Sequence, residues 1–179
     1  MKKLLGFTMI ILVAAVYGPT SVFSEEHNKP ESVVHSKDFE TMKTFIGAWE
    51  GKGSMSTGSE TIRVTYELTS AGNALLERLF PGTPHEMVTV YYDFKGKLNM
   101  THYCSLGNRP HMELVNSTPD SLEFVLSEKD PGISSLKETH MHSLRISIEG
   151  KDSITHNWTL FDNGEKKSTE VIRLNRVKS

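Results

Sequence analysis

The chain has 179 residues with 20 basic and 22 acidic side chains, so its formal net charge at pH 7 is −2. This balance gives no electrostatic reason to expect nucleic acid or an anionic membrane as a partner. The single cysteine, Cys104, excludes an internal disulfide, so packing and backbone hydrogen bonding must supply the stability.

The first 24 residues have the layout of a secretory signal peptide. Lys2 and Lys3 precede an apolar run over residues 4–16, and a small-residue cleavage site ends at Ser24, before Glu25. The run is shorter than the roughly 20 residues of a membrane span, and a retained anchor helix is the alternative. Removing 24 of the 179 residues leaves 155, the length of one domain. We therefore predict a periplasmic or secreted protein with no membrane contact after cleavage.

A short helix is predicted at the start of the folded domain. Residues 25–35 are polar and aperiodic, which predicts a flexible lead-in to a domain over residues 36–179. Ser36 is a suitable N-cap, and Gly47 is expected to end the helix. Four apolar side chains at helical spacing would form its buried stripe: Phe39, Met42, Phe45 and Ile46.

From Trp49 onward the apolar pattern changes from a helical period to a period of two, with turn signals about every ten residues. The clearest strand covers residues 61–69. Further strands are predicted over residues 49–55, 74–80, 86–93, 97–104, 111–115, 121–126, 139–149, 153–162 and 168–174. About ten antiparallel strands joined by short turns predict an all-β, up-and-down barrel, because closure removes exposed edges. A two-sheet sandwich is the alternative fold.

Gly47-Ala48-Trp49 resembles the G-x-W motif that opens the first strand of lipocalin-type barrels after a short helix. In that family the tryptophan closes one barrel end and an arginine from the last strand lies across its ring. The resemblance implies Arg173 or Arg176 for this role, a contact that also has a cation–π basis.

A second segment, THYCSLGNRPHM over residues 101–112, is more specific than G-x-W. Together with Met141-His142 and Trp158, it resembles a bacterial exported lipocalin-like family of uncharacterised function. The likeness spans roughly residues 38–176. It implies the barrel fold, and small-ligand binding follows only by analogy with fatty-acid carriers and nitrobindin-type haem proteins of the same superfamily.

Strand alternation predicts which side chains share the apolar face. In the strand over residues 97–104, Leu98, Met100, His102 and Cys104 fall in phase. Cys104 is expected to be buried, since free cysteine is among the most buried residue types.

The same alternation places more histidines on the apolar side. His140 and His142 fall in phase with Leu144, and His156 shares a face with Trp158. With His102, four of the eight histidines are therefore expected inside the barrel, where each ring nitrogen needs a partner. No carboxylate is expected in phase with them.

The leading hypothesis is a barrel that binds a small, mostly apolar or amphipathic molecule, with histidines orienting its polar end and no cofactor. Either Tyr91 or Tyr92 would line the cavity, and Arg109, in the loop over residues 105–110, would reach over its mouth. The candidate ligand-binding residues are His102, Cys104, His140, His142, His156, Trp158, Met100, Met87 and Arg109.

Three other functions stay open. Interior histidines are suitable ligands for a metal or for haem iron, or could serve as acid and base in an enzyme. A Cys104–His102 pair is poorly spaced for direct proton transfer, since residues i and i+2 on a strand lie about 6 to 7 Å apart. A filled barrel with a surface role is the third alternative. The sequence leaves the ligand and the oligomeric state open.

Overall fold

The computed structural model describes residues 33–53 and 61–178. The predicted signal peptide and most of the lead-in lie outside these residues, and so does the predicted end of the first strand at Met55.

Within these ranges one α-helix precedes ten strands. The elements are α1 (Lys37–Lys43), β1 (Gly47–Gly53), β2 (Ile62–Thr69), β3 (Ala74–Leu79), β4 (Met87–Phe94), β5 (Lys97–Tyr103), β6 (His111–Thr118), β7 (Ser121–Leu126), β8 (His140–Ile148), β9 (Ser153–Asp162) and β10 (Glu165–Arg176). Each strand pairs antiparallel with its sequence neighbours, and β1 pairs with β10 to close the barrel. The predicted ten-stranded, all-β barrel is confirmed, and the sandwich alternative is wrong.

The helix lies at the barrel end where β4 finishes and β5 begins. Its N-cap, Ser36, accepts the backbone N–H of Phe39 at 3.1 Å, as predicted. The Ser36 hydroxyl and amide both donate to the carboxylate of Asp93, at 2.6 Å each. A side chain near the end of β4 therefore fixes the start of α1 against the barrel.

Three apolar side chains from the helical segment, Phe39, Met42 and Phe45, are at most 2% exposed and belong to the core. The prediction that Ile46 continues this stripe is wrong, because Ile46 is 41% exposed. The helix already ends at Lys43, three residues earlier than the spacing suggested. Ile46 therefore lies in the connection to β1.

Arg176 covers Trp49 at the same barrel end. Its guanidinium carbon lies 4.3 Å from the centroid of the Trp49 ring, so Arg176, and not Arg173, makes the contact that the resemblance implied. The guanidinium also donates at 2.7 to 3.2 Å to three backbone carbonyls, those of Thr44, Ile46 and Lys151. One side chain thus connects the last strand to the segment between α1 and β1.

We expect Arg176→Ala to lower the free energy of unfolding by roughly 2 kcal/mol, because it removes a cation–π contact and several charge-assisted hydrogen bonds. Arg176→Lys should recover only part of this loss, since a single ammonium cannot reach three carbonyls in the same geometry. Urea denaturation of the three proteins measures the effect. Equal midpoints for wild type and Arg176→Ala would contradict this role.

Candidate functional site

Seven polar or aromatic side chains from five strands meet inside the barrel, and each is at most 2% exposed. This interior polar cluster consists of Tyr66 (β2), Glu77 (β3), Thr89 and Tyr91 (β4), His102 (β5), and His156 and Trp158 (β9). Burial of so many polar groups is costly unless each is hydrogen-bonded. Their contacts therefore decide what this part of the interior can do.

Glu77 is a carboxyl group in the middle of the cluster. The hydroxyl of Tyr91 donates to its Oε2 at 2.7 Å, which also settles that Tyr91, and not Tyr92, points inward. Burial raises the pKa of Glu77 to about 7, and the hydrogen bond from Tyr91 opposes that shift. Near neutral pH the group is therefore partly protonated. The sequence analysis considered only carboxylates in phase with the histidines on their own strands, and Glu77 shares the interior with them from a different strand, β3.

The two interior histidines are held by hydroxyl groups. Nδ1 of His102 lies 2.9 Å from the Thr89 hydroxyl, and Nε2 of His156 lies 2.9 Å from the Tyr66 hydroxyl. Burial lowers the pKa of both His102 and His156 to about 4. Both rings are therefore neutral at pH 7 and can orient a ligand by hydrogen bonding, but they do not attract an anion.

The barrel end opposite α1 is lined by mostly apolar side chains. Met87 begins β4, and Cys104 follows the last residue of β5. Met141 and Leu160 are opposite each other in β8 and β9. Together with Glu170 of β10 they form the mouth of the barrel: Met87, Cys104, Met141, Leu160 and Glu170.

Accessibility increases from the interior polar cluster toward the mouth. Met87 and Met141 are 4% and 6% exposed, and Cys104, Leu160 and Glu170 are half-buried. His156 and Met100, in contrast, are fully inaccessible. Solvent therefore reaches inward-facing side chains at the mouth, while His156 and Met100 lie in the layer below it.

Cys104 is half-buried, so the expectation of a fully buried thiol is only partly met. Its Sγ lies 4.0 Å from Sδ of Met87. Burial raises the pKa of the Cys104 thiol, which keeps it protonated and weakly nucleophilic at neutral pH.

Glu170 is a second inward-facing carboxylate that the sequence analysis missed. It lies opposite Trp158 in the β9–β10 pairing and two positions before Ile172, which is fully buried. Its Oε1 accepts a hydrogen bond from Ser168 at 2.8 Å. The alternation along β10, in which Glu170 is in phase with Ile172 and Leu174, could have predicted this orientation. A glutamate in an amphipathic strand, however, usually indicates the solvent-facing side.

His140 and His142 do not face the interior, and the prediction that they do is wrong. A β-bulge shifts the register between Met141 and Ser143, which turns Met141 toward the core. His140 instead lies opposite Phe161, and the ring of His142 stacks on Phe161 at 3.8 Å between centroids. The two histidines contact each other at 3.2 Å on the outward side of β8.

Arg109 is exposed and lies in an open groove between two loops at the same barrel end. The groove has a volume of about 450 Å³ and is also lined by Asp130 and Glu138. The structure therefore places Arg109 with these loops and not among the inward-facing side chains.

The described residues include no helix long and apolar enough to cross a membrane. In the same ranges, no group of three or more histidine, cysteine, aspartate or glutamate side chains is arranged to hold a metal ion.

These elements define a closed ten-stranded antiparallel barrel with a buried polar cluster below an accessible, mostly apolar mouth. No family model matches the chain, and no curated protein matches it significantly. The crystal structure of a protein of unknown function from the DUF3598 family of Nostoc punctiforme is similar, with a TM-score of 0.53 and 13% sequence identity. The match covers 76% of this chain and 49% of that one, so the chain spans about half the length of this neighbour. At this identity the likeness concerns the fold alone.

Proposed function

We propose that the protein is an exported, lipocalin-like barrel that binds a small, mostly apolar molecule at the mouth. The observation that carries this proposal is Trp158, whose indole N–H is buried without a hydrogen-bond partner next to the mouth. A buried donor without a partner costs free energy. The polar end of a ligand would satisfy it.

The lining of the mouth supports an apolar ligand body. Met87, Met141 and Leu160 offer thioether and aliphatic surface that adapts to ligand shape. The ring of His102 packs against Trp158 with 4.6 Å between centroids and a 40° tilt between the planes. Its neutral imidazole can orient a polar head. A few polar groups within an apolar lining are typical of small-molecule sites.

The proposal narrows the set of ligand-contacting residues expected from the sequence. His102, Cys104, Met87 and Trp158 remain in the proposed site, joined by Met141, Leu160 and Glu170. His156 and Met100 drop out because they lie two residues farther from the mouth than Trp158 and His102 along β9 and β5. His140, which is fully buried, and His142 drop out because they lie on the outward face of β8, and Arg109 drops out because it lies in the groove between two loops.

Two further observations support export and the lipocalin-like class. The basic start, apolar run and small-residue site before Glu25 are the parts of a secretory signal. The G-x-W position, with Arg176 over Trp49 beside a short helix, matches what the family resemblance implied.

An arginine placed at the mouth tests the location of the site. We expect Leu160→Arg to weaken binding of the uncharged fluorescent probe N-phenyl-1-naphthylamine at least tenfold, because a guanidinium in the apolar lining must be desolvated. Phe161→Arg is the matched control, since Phe161 is the next residue of β9 and points outward. Fluorescence titration measures both affinities, and thermal unfolding checks that both variants fold.

We expect the control to bind the probe like the wild type. Equal affinities for wild type and Leu160→Arg, or a loss confined to Phe161→Arg, would contradict the location. Absence of probe binding by the wild type would contradict the proposed function.

A further inference from the structure

In the described part of the chain, the charged side chains that face the interior at and next to the mouth are all acidic. Arg176 is the one lysine or arginine at an inward-facing position of the described strands, and it lies over Trp49 at the opposite end of the barrel. The inward-facing acidic side chains include Glu77 in the interior polar cluster and Glu170 at the mouth. No described inward side chain at the mouth therefore offers a permanent cation to an anionic ligand.

The interior histidines do not change this balance. Each uses one ring nitrogen with a hydroxyl group, His102 with Thr89 and His156 with Tyr66. Both are at most 2% exposed, and removal from water disfavours the charged form of each ring. Neutral imidazoles cannot neutralise a ligand carboxylate.

The polar groups nearest the mouth are suited to a group that both donates and accepts hydrogen bonds. The indole N–H of Trp158 donates only, and the carboxylate of Glu170, opposite Trp158 in the β9–β10 pairing, accepts. A hydroxyl group can accept from the first and donate to the second. A carboxylate would accept from Trp158 but be repelled by Glu170.

We propose that the mouth selects uncharged amphiphiles with a hydroxyl head group and excludes those with a carboxylate head group. This inference rests on the proposed function and adds the chemical class of the ligand. The mouth presents apolar surface to the chain of such a molecule, and Trp158 and Glu170 to its head.

Two probes with the same chain length separate the head groups. Decan-1-ol and decanoate are each titrated at pH 7.5 against protein loaded with N-phenyl-1-naphthylamine. We expect half-displacement by decan-1-ol at a concentration at least tenfold lower than by decanoate. Glu170→Gln should reduce this difference to less than threefold, mainly because decanoate binds the variant more tightly. Glu67→Gln, which removes an exposed carboxylate from β2, is the control and should keep the full difference.

The outcomes distinguish this inference from the proposed function. Displacement by decanoate at equal or lower concentration than decan-1-ol would overturn the head-group inference, while probe binding itself would still support a ligand site. A tenfold preference that persists unchanged in Glu170→Gln would overturn the role of Glu170. No binding of the uncharged probe would overturn both proposals.

Discussion

Gly51→Ala is expected to destabilise the protein by more than about 3 kcal/mol, because the seam that closes the barrel leaves no room for a side chain there. A Cβ atom at Gly51 would fall on the backbone carbonyl oxygen of Arg173 in β10. The clash is with backbone, so no side-chain rotation relieves it. The β1–β10 pairing, in which Gly51 is opposite Leu174, would have to separate locally.

Glu50→Ala provides the matched control for this substitution, since Glu50 is the preceding residue of β1 and its side chain is exposed. We expect it to change the free energy of unfolding by no more than about 0.5 kcal/mol. Chemical denaturation of both variants measures the difference. If Gly51→Ala were as stable as Glu50→Ala, the close approach of β1 and β10, and with it the closed barrel, would be contradicted.

Acidification from pH 7.5 to pH 4 is expected to lower the stability of the protein through its buried histidines. The folded state holds the pKa of His102 and of His156 at about 4, below the ordinary value of 6.5. The unfolded chain therefore binds more protons in this window. Stability from these groups is present above pH 6.5 and is lost as pH falls toward 4, by roughly 3 kcal/mol for each histidine.

Glu77 has the opposite effect on the pH dependence of stability. Burial raises its pKa from 4.5 to about 7, so its contribution is fully present below pH 4.5 and is lost as pH rises through 7. On acidification, the stability gained from Glu77 cancels the stability lost from about one of the two histidines. The free energy of unfolding therefore falls by a net of roughly 3 kcal/mol between pH 7.5 and pH 4. Glu77→Gln removes the compensating contribution of the carboxyl group. We therefore expect the free energy of unfolding of this variant to fall about twice as much as that of the wild type over the same pH range.

Urea denaturation at several pH values checks both expectations. Glu77→Gln should be more stable than wild type at pH 8, because glutamine can accept the Tyr91 hydrogen bond without carrying a buried charge. A wild-type stability that is constant or rises between pH 7.5 and 4 would contradict neutral, buried histidines. A variant with the same pH profile as wild type would contradict the raised pKa of Glu77.

Much of the fold could be predicted from local pattern. The alternation over residues 61–69 matches β2 to within one residue, and Ser36 caps α1 as expected. Such features depend on neighbours a few residues away, which a sequence displays directly. His102, His156 and Trp158 were placed inside correctly for the same reason.

The errors in the site have identifiable physical causes. His140 and His142 were assigned to the interior because a period of two was continued through β8, and a bulge adds one residue that reverses the phase. Glu77 and Glu170 were missed because a carboxyl group in an amphipathic strand normally indicates the solvent-facing side. The β3–β4 pairing brings Tyr91 to Glu77, and the β9–β10 pairing places Trp158 opposite Glu170. The alternation within a single strand contains no information about these partners.

The division of the barrel explains how a filled interior and a ligand site can coexist. Below the mouth, Tyr66, Glu77 and His156 are inaccessible; Tyr66 hydrogen-bonds to His156, and Tyr91 hydrogen-bonds to Glu77. Above them, Leu160 and Glu170 remain partly accessible. The alternative of a filled barrel therefore describes the lower part, and the proposed ligand site uses only the upper part.

Methyl resonances of the methionine side chains test this account most directly, because methionines occur both at the mouth and below it. In protein labelled at the methionine methyl carbons and titrated with decan-1-ol, the signals of Met87 and Met141 should shift progressively. The signal of Met42, in α1 at the opposite end of the barrel, should stay unchanged. A shift at Met42, with none at Met87 and Met141, would contradict a ligand site at the mouth.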